Sequence, residues 1–154
     1  MIQRTQTVYL LLSSVLMFLV FMFPLSELLV SENINYIFRY RGIYELADNS
    51  EILTIPSIPL AIIFGIILII NLISIFLFKN RMLQMRLSIF NIMLMLGSMG
   101  LAYFYIYTAF NELNTTLHIS FAATFPLISA ILTYMAFRGI KKDEKLVKSL
   151  DRIR

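Results

Sequence analysis

The chain contains no cysteine, a single histidine at position 118 and only five glycines in 154 residues. Without cysteine it has no disulfide, thiolate metal ligand, cysteine nucleophile or lipoprotein attachment site. A metal centre needs several ligands, and His118 has only Glu112 nearby in the sequence. We therefore expect no metal and no cofactor, and we interpret His118 as an interfacial side chain.

Charged residues are also scarce, at 14% of the chain against 59% hydrophobic residues. A soluble domain usually has about 25% charged and about 45–50% apolar residues. Because a soluble core of this size would not need so much apolar surface, the excess is expected to face lipid. The basic residues flank apolar runs and form no soluble basic face, which argues against nucleic-acid binding. The first partner that the composition predicts is the lipid bilayer.

Four apolar runs are long enough to cross a hydrocarbon core, which takes roughly 17–25 helical residues. They cover residues 7–25, 57–78, 87–109 and 117–137. The sequence therefore predicts one all-α membrane domain over 1–154, a four-helix transmembrane bundle that ends in a basic cytoplasmic tail at 138–154. Pro24 is expected to end or kink the first helix. Since the first run has no pair of small residues at cleavage-site spacing, we expect an uncleaved anchor and not a signal peptide.

Basic residues are distributed unevenly around the four runs. Arg4, the elbow at 79–86 and the tail hold 11 of the 13 lysines and arginines, whereas only Arg39 and Arg41 lie between the first two runs. Short loops rich in Lys and Arg remain in the cytoplasm. The distribution therefore predicts that both termini and the elbow are cytoplasmic and that residues 26–56 lie outside.

The outer loop at 26–56 is rich in β-branched and aromatic residues. Between Ile34 and Arg41 aromatic and polar residues partly alternate, and Gly42 and Asp48-Asn49 are turn signals. This pattern favours a short β-hairpin that caps the bundle between the first two helices. A helical cap or an irregular, ordered interfacial loop remains an alternative.

Three stretches together resemble a known family: "MIQRTQTVYLLL" at the start, "KNRMLQMRLSIFNIMLMLG" at the elbow and "RGIKKDEKLVKSLDRIR" at the end. The chain resembles, over its whole length, the bacterial family catalogued as domain of unknown function 4293, small multi-spanning membrane proteins associated with the Bacteroidota. The resemblance implies four helices and a bacterial inner-membrane location. It implies no activity and no catalytic or binding residue.

Catalytic groups are hard to find in the apolar runs. None of the four runs contains Asp, Glu, Lys or Arg, and intramembrane charges are the usual mark of ion pathways and proton relays. The acids of the outer loop have no spacing that sets two of them on one rigid face, so we interpret them as solvated side chains: Glu27, Glu32, Glu45, Asp48 and Glu51. We expect a protein that is not an enzyme.

Polar residues within the runs are candidates for interhelical contacts. With the midpoint of the elbow between Met82 and Leu83, Ser74 and Asn91 are predicted at equal depth on neighbouring helices, and Asn71 one turn further in. Gly97 and Gly100 are expected to let a backbone approach. The candidate contacts are Asn71, Ser74, Ser88, Asn91, Ser98 and Thr133. Small and polar residues commonly join membrane helices, and a polar substrate path is the alternative interpretation.

Two stripes of small and polar residues have helical spacing and predict the inward faces of the third and fourth helices. The first comprises Ser88, Asn91, Met95, Ser98 and Ala102, and the second Ala122, Pro126, Ser129, Thr133 and Ala136.

Basic residues at the elbow and tail are candidates for contacts with anionic lipid or a partner protein. These are Arg81, Arg86, Lys141, Lys145, Lys148 and Arg152. A basic helix beside the membrane can lie on anionic headgroups, dock a cytoplasmic partner, or simply extend the fourth helix into solvent.

Two functional classes follow from these patterns. The first is a non-enzymatic accessory or scaffold subunit that contacts a larger membrane assembly or its anionic lipids. The second is a pore or transporter-like bundle for small solutes or lipid, built on the polar residues of helices two to four. The absence of charge within the runs favours the first.

Overall fold

The computed structural model describes residues 2–31, 34–47, 50–78, 80–113 and 116–151. The element order is α1 (Ile2–Met22), β1 (Ser26–Ser31), β2 (Ile34–Arg39), β3 (Gly42–Ala47), β4 (Ser50–Pro56), α2 (Ile58–Phe76), α3 (Arg81–Leu113), β5 (Thr116–Ile119), a 3-10 helix (Phe121–Thr124) and α4 (Phe125–Asp151). All four α-helices are long and apolar enough to span a membrane.

The helices pack as a closed ring. The pairs in contact are α1 with α2, α2 with α3, α3 with α4, and α4 with α1. Apolar side chains such as Phe18, Ile62, Phe90 and Ile131 are exposed around the outside of the ring. Since a soluble protein rarely exposes apolar patches of this extent, the ring has the exterior of a membrane-spanning bundle.

Prolines mark where three of the helices begin or end. α1 stops at Met22, two residues before Pro24, as predicted. Pro59 and Pro126 lie in the first turns of α2 and α4, where the missing N–H leaves no helical hydrogen bond unmade.

A five-stranded antiparallel sheet covers one end of the bundle, in the order β4-β3-β2-β1-β5. Strands β2 and β3 form the hairpin that the alternating pattern predicted, with Phe38 opposite Ile43 and Tyr36 opposite Glu45. The all-α fold class is therefore only partly right, because the cap is a sheet. The Asp48-Asn49 turn signal lies outside the described residues.

The fifth strand corrects the fourth predicted span. Residues 117–119 form β5 and pair with β1, where Leu28 lies opposite Leu117. α4 begins only at Phe125 and continues without a break to Asp151, so the described part of the basic tail belongs to this helix. β5 reaches β1 because the two strands adjoin α4 and α1, which are neighbours in the ring.

One apolar core runs from the sheet into the bundle. Leu28, Phe38 and Ile43 of the sheet are completely buried and belong to the same cluster as Phe64 and Met95 of the helices. At the junction after Pro24, the Leu25 amide donates to the Phe38 carbonyl at 2.8 Å, and the Leu25 carbonyl accepts from the Ser120 amide at 3.1 Å. The sheet is thus held on the bundle by packing and by backbone hydrogen bonds.

Candidate functional site

A chain of hydrogen bonds links all four helices in the middle of the bundle. Asn91 Nδ2 on α3 donates to Asn71 Oδ1 on α2 at 2.7 Å, and Asn71 Nδ2 donates to Ser13 Oγ on α1 at 3.0 Å. Ser13 Oγ lies 3.0 Å from Thr133 Oγ1 on α4. The Ser129 hydroxyl on α4 also donates to the Ser13 carbonyl at 3.3 Å. Asn71, Asn91, Ser13, Ser129 and Thr133 are at most 1% exposed.

The chemistry of this chain is that of amides and hydroxyls bonded to one another. Within the bundle each polar side chain would leave a costly unpaired group if its partner were removed. Interhelical hydrogen bonds of this kind typically contribute about 0.6–2 kcal/mol each. The arrangement therefore fixes the helices relative to each other.

The predicted polar residues are partly brought together. Asn71 and Asn91 share a hydrogen bond, and Thr133 belongs to the same series of hydrogen bonds. The predicted equal depth of Ser74 and Asn91 is wrong by about one helical turn, because Asn91 bonds to Asn71. The Ser74 carbonyl accepts from Gln84 Nε2 at 2.9 Å, and its hydroxyl is buried without a partner in the described structure.

Two other predicted contacts remain within a single helix. Ser88 Oγ donates to the Gln84 carbonyl at 2.8 Å, and Ser98 Oγ donates to the Met95 carbonyl at 2.7 Å. Both side chains are buried. The other residues of the two predicted stripes are buried as well, except Ala102, which is half-buried. The predicted inward faces of α3 and α4 are therefore confirmed.

The expected close approach at Gly97 and Gly100 is wrong. Apart from the adjacent backbone of α3 itself, a Cβ added at either position would meet no described atom within 4 Å. Close approach occurs instead at Gly139 on α4, where an added Cβ would lie 2.9 Å from Gln6 Cγ on α1. Gln6 Nε2 donates to Asp143 Oδ2 at 2.7 Å, so α1 and α4 are also joined near their basic ends.

Sequence reasoning missed Ser13, Gln6 and Asp143. The adjacent serines of "LLSSVL" in the first run were a signal for Ser13, because two hydroxyls interrupt an otherwise apolar segment. Gln6 and Asp143 carry no such signal, since they lie 137 positions apart and only the ring of helices brings them together.

The basic candidates that the structure describes lie at the end of the bundle opposite the sheet. Arg86, Lys141 and Lys145 line one groove between α3 and α4, with a volume of about 350 Å³. Arg81 is the first residue of α3. The side chain of Lys148 and the whole of Arg152 lie outside the described structure, as does Lys79 of the elbow.

The face of the sheet that points away from the bundle carries a row of five side chains in register. Successive strands place His118 beside Glu27, Glu27 beside Ile37, Ile37 beside Tyr44, and Tyr44 beside Leu53. Their sequence neighbours Leu28, Phe38 and Ile43 are buried against the bundle, so alternation directs this row outwards. We call His118, Glu27, Ile37, Tyr44 and Leu53 the outer row.

An ion pair lies across the same outward face. Arg39 on β2 contacts both carboxylate oxygens of Glu51 on β4, at 3.1 and 3.2 Å, across the intervening strand β3. Both side chains are about two-fifths exposed, so the pair stabilises the fold only slightly.

Tyr36 and Glu45 form a polar pair beneath the sheet. Burial and the neighbouring Glu45 carboxylate, which accepts a hydrogen bond from the hydroxyl, raise the pKa of Tyr36 above its ordinary value. The two residues lie opposite each other on β2 and β3. The pair keeps the tyrosine protonated over a wider pH range than in an unfolded chain.

No group of three or more His, Cys, Asp or Glu side chains that would hold a metal ion is found within the described residues. The family model described as "Domain of unknown function (DUF4293)" matches residues 2–153. The chain belongs to this family. Comparison with functionally curated proteins gives no match. Membership in this family assigns no chemistry to the residues described above.

Proposed function

We propose that this member of the family is a non-enzymatic accessory or scaffold subunit of the bacterial inner membrane. The four helices form a fixed base, and the sheet docks the extracytoplasmic part of a larger membrane protein. The concentration of Lys and Arg at the opposite end supports an orientation with both chain ends in the cytoplasm.

The observation that carries this proposal is the outer row on a sheet fastened to the bundle. Three of its members, Ile37, Tyr44 and Leu53, present apolar surface beside the charged Glu27 and the Arg39–Glu51 ion pair. Apolar residues bordered by polar ones are typical of protein interfaces. Because five strands and a shared core hold these side chains, docking would cost little conformational entropy.

The polar chain inside the bundle supports the same proposal. A transport path through the membrane would need polar groups free to contact a solute. Asn71, Asn91 and Thr133 instead bond to each other or to Ser13. Most of their polar atoms are therefore already engaged in joining the helices, and Asn91 Oδ1 is the one side-chain atom of these three residues that is buried without a partner in the described structure.

A second candidate, a bundle that handles lipid or a small apolar solute, is favoured by one cavity. It has a volume of about 230 Å³ and lies between α3, α4 and the sheet. Its lining is mostly apolar and includes Phe64, Ala102 and Ile106, with Ser98 among its few polar residues. Asn71 and Asn91 do not line it. We rank this candidate second because the polar residues that would guide a solute are elsewhere.

Purification of the tagged full chain from its native membrane in a gentle detergent tests the proposal. We expect one larger membrane protein to co-purify stoichiometrically. Leu53→Arg in the outer row should release it, whereas Asn80→Arg, the same charge change at an exposed position of the opposite end, should not. A stable oligomer of this chain alone with bound lipid or solute would contradict the scaffold and support the second candidate.

A further inference from the structure

The groove between α3 and α4 at the basic end combines an apolar floor with cations. Its floor and walls include Met82, Met85, Ile89 and Phe137, and its charged residues are Arg86, Lys141, Lys145 and Glu144. Three cations and one carboxylate leave an excess of two positive charges. A groove of about 350 Å³ lies within the usual range for small-ligand sites, about 300–1,000 Å³.

The polar and apolar parts are ordered along the helices. On α4, Phe137 lies one turn nearer the sheet than Lys141, and on α3, Ile89 lies nearer the sheet than Arg86. Lys141 Nζ is 5.9 Å from the centre of the Phe137 ring, which places this ammonium over the apolar floor. The groove is therefore cationic towards the end of the bundle and apolar towards its middle.

We propose that this groove binds one anionic glycerophospholipid of the adjacent leaflet. The phosphate lies between Arg86, Lys141 and Lys145, and the first part of an acyl chain lies on Ile89 and Phe137. Arginine suits this role because its planar donors can hold two phosphate oxygens at once. The apolar floor makes an amphiphile a better occupant than free phosphate or an acidic peptide.

This site goes beyond the proposed scaffold function and does not depend on it. The outer row is on the sheet, at the opposite end of the helices from the groove. Binding of a partner protein to the sheet and binding of a lipid in the groove can therefore be measured separately. Either proposal can fail without the other.

Native mass spectrometry of the full chain in non-ionic detergent tests the site. Phosphatidylglycerol and phosphatidylcholine with the same acyl chains are added in turn. Each basic residue beside an anionic headgroup contributes roughly fivefold to binding. We expect the native chain to retain phosphatidylglycerol at least about tenfold better than phosphatidylcholine. The Arg86→Gln/Lys145→Gln variant should retain phosphatidylglycerol roughly 30-fold less well than the native chain.

The matched control separates a built site from general surface attraction. Arg138→Gln/Lys142→Gln removes the same charge from exposed positions on α4 that do not line the groove. It should change retention less than about threefold, well below the loss expected for cations that contact the headgroup. Ile89→Trp, which keeps every charge but fills the floor, should weaken retention; an unchanged value would contradict the acyl contact.

Three further results would overturn the lipid site. Equal losses in the two charge variants would show only diffuse attraction along α4. Equal retention of phosphatidylcholine would remove the anionic selectivity. Displacement of the lipid by millimolar glycerol 3-phosphate would show that the groove recognises soluble phosphate.

Discussion

The side-chain amide of Asn91 donates a 2.7 Å hydrogen bond to the side-chain oxygen of Asn71, and both residues are almost completely buried. Through Ser13 this bond continues from α2 to α1, and through Thr133 to α4. Two amides and two hydroxyls thus join all four helices in the middle of the bundle.

Replacing Asn91 with leucine should destabilise the bundle by about 1–2 kcal/mol, because the Asn71 oxygen loses its donor in an apolar interior. The thermal midpoint in detergent should fall clearly, whereas Glu51→Gln on the exposed sheet should change it little. The double variant Asn71→Leu/Asn91→Leu should lose less than the sum of the single variants, because no amide is then left unpaired. An unchanged or raised midpoint for Asn91→Leu would show that the amide does not join the helices.

Gly139 is expected to be the helix glycine least tolerant of a side chain. Gly139→Ala places a Cβ where Gln6 now lies and should disturb the Gln6–Asp143 hydrogen bond. Gly97→Ala and Gly100→Ala are controls with open space, and alanine favours a helix over glycine by up to about 1 kcal/mol. The first change should lower the thermal midpoint, and the controls should leave it equal or raise it. A rise for all three would contradict close packing of α1 on α4.

Hydrophobicity predicted the four helices well and their register less well. It marks where lipid begins, not where a helix ends, and α3 starts at Arg81, six residues before its apolar run. The elbow midpoint was therefore placed too late, and Asn91 meets Asn71 instead of Ser74. A shift of about one and a half residues in the midpoint moves the partner of Asn91 by three residues, from Ser74 to Asn71.

Sequence periodicity predicted only part of the sheet. Alternation between Ile34 and Arg41 predicted the β2–β3 hairpin, because one face is buried and the other is not. β5 has only four residues, and its sequence "TLHI" runs into the apolar segment of the fourth helix. The sequence of β1, "SELLVS", directly follows the first apolar run. Their pairing depends on α1 and α4 being neighbours, which is a property of the assembled ring and not of either segment.

Tyr36 gives the sheet a defined dependence on alkaline pH. Because its folded pKa is raised above the ordinary value of about 10, the unfolded chain loses this proton first. The stability linked to Tyr36 is complete below about pH 10 and is lost as pH rises through the raised pKa. Tyr36→Phe should therefore be less stable than the native chain at pH 8 but lose less stability between pH 9 and 11. Parallel pH profiles of the unfolding midpoint would contradict this account.

Orientation can be tested in this cysteine-free chain by single cysteines at Thr54 and Asn80. Both positions are exposed, one on β4 and one in the turn before α3. In intact spheroplasts, an impermeant maleimide should label the Thr54→Cys variant and should reach the Asn80→Cys variant only after lysis. Labelling of both variants before lysis would be inconsistent with a sheet outside and a basic end inside.

The central claim is that the outer row is the surface by which this protein meets a partner. The most direct measurement is photocrosslinking in native membranes from benzoylphenylalanine placed at Leu53, at His118 and, as a control, at Asn80. We expect Leu53 and His118, at the two ends of the outer row, to give crosslinks to the same larger membrane protein, and Asn80 to give none to it. Crosslinks to that protein from all three positions, or none from the sheet, would contradict the claim.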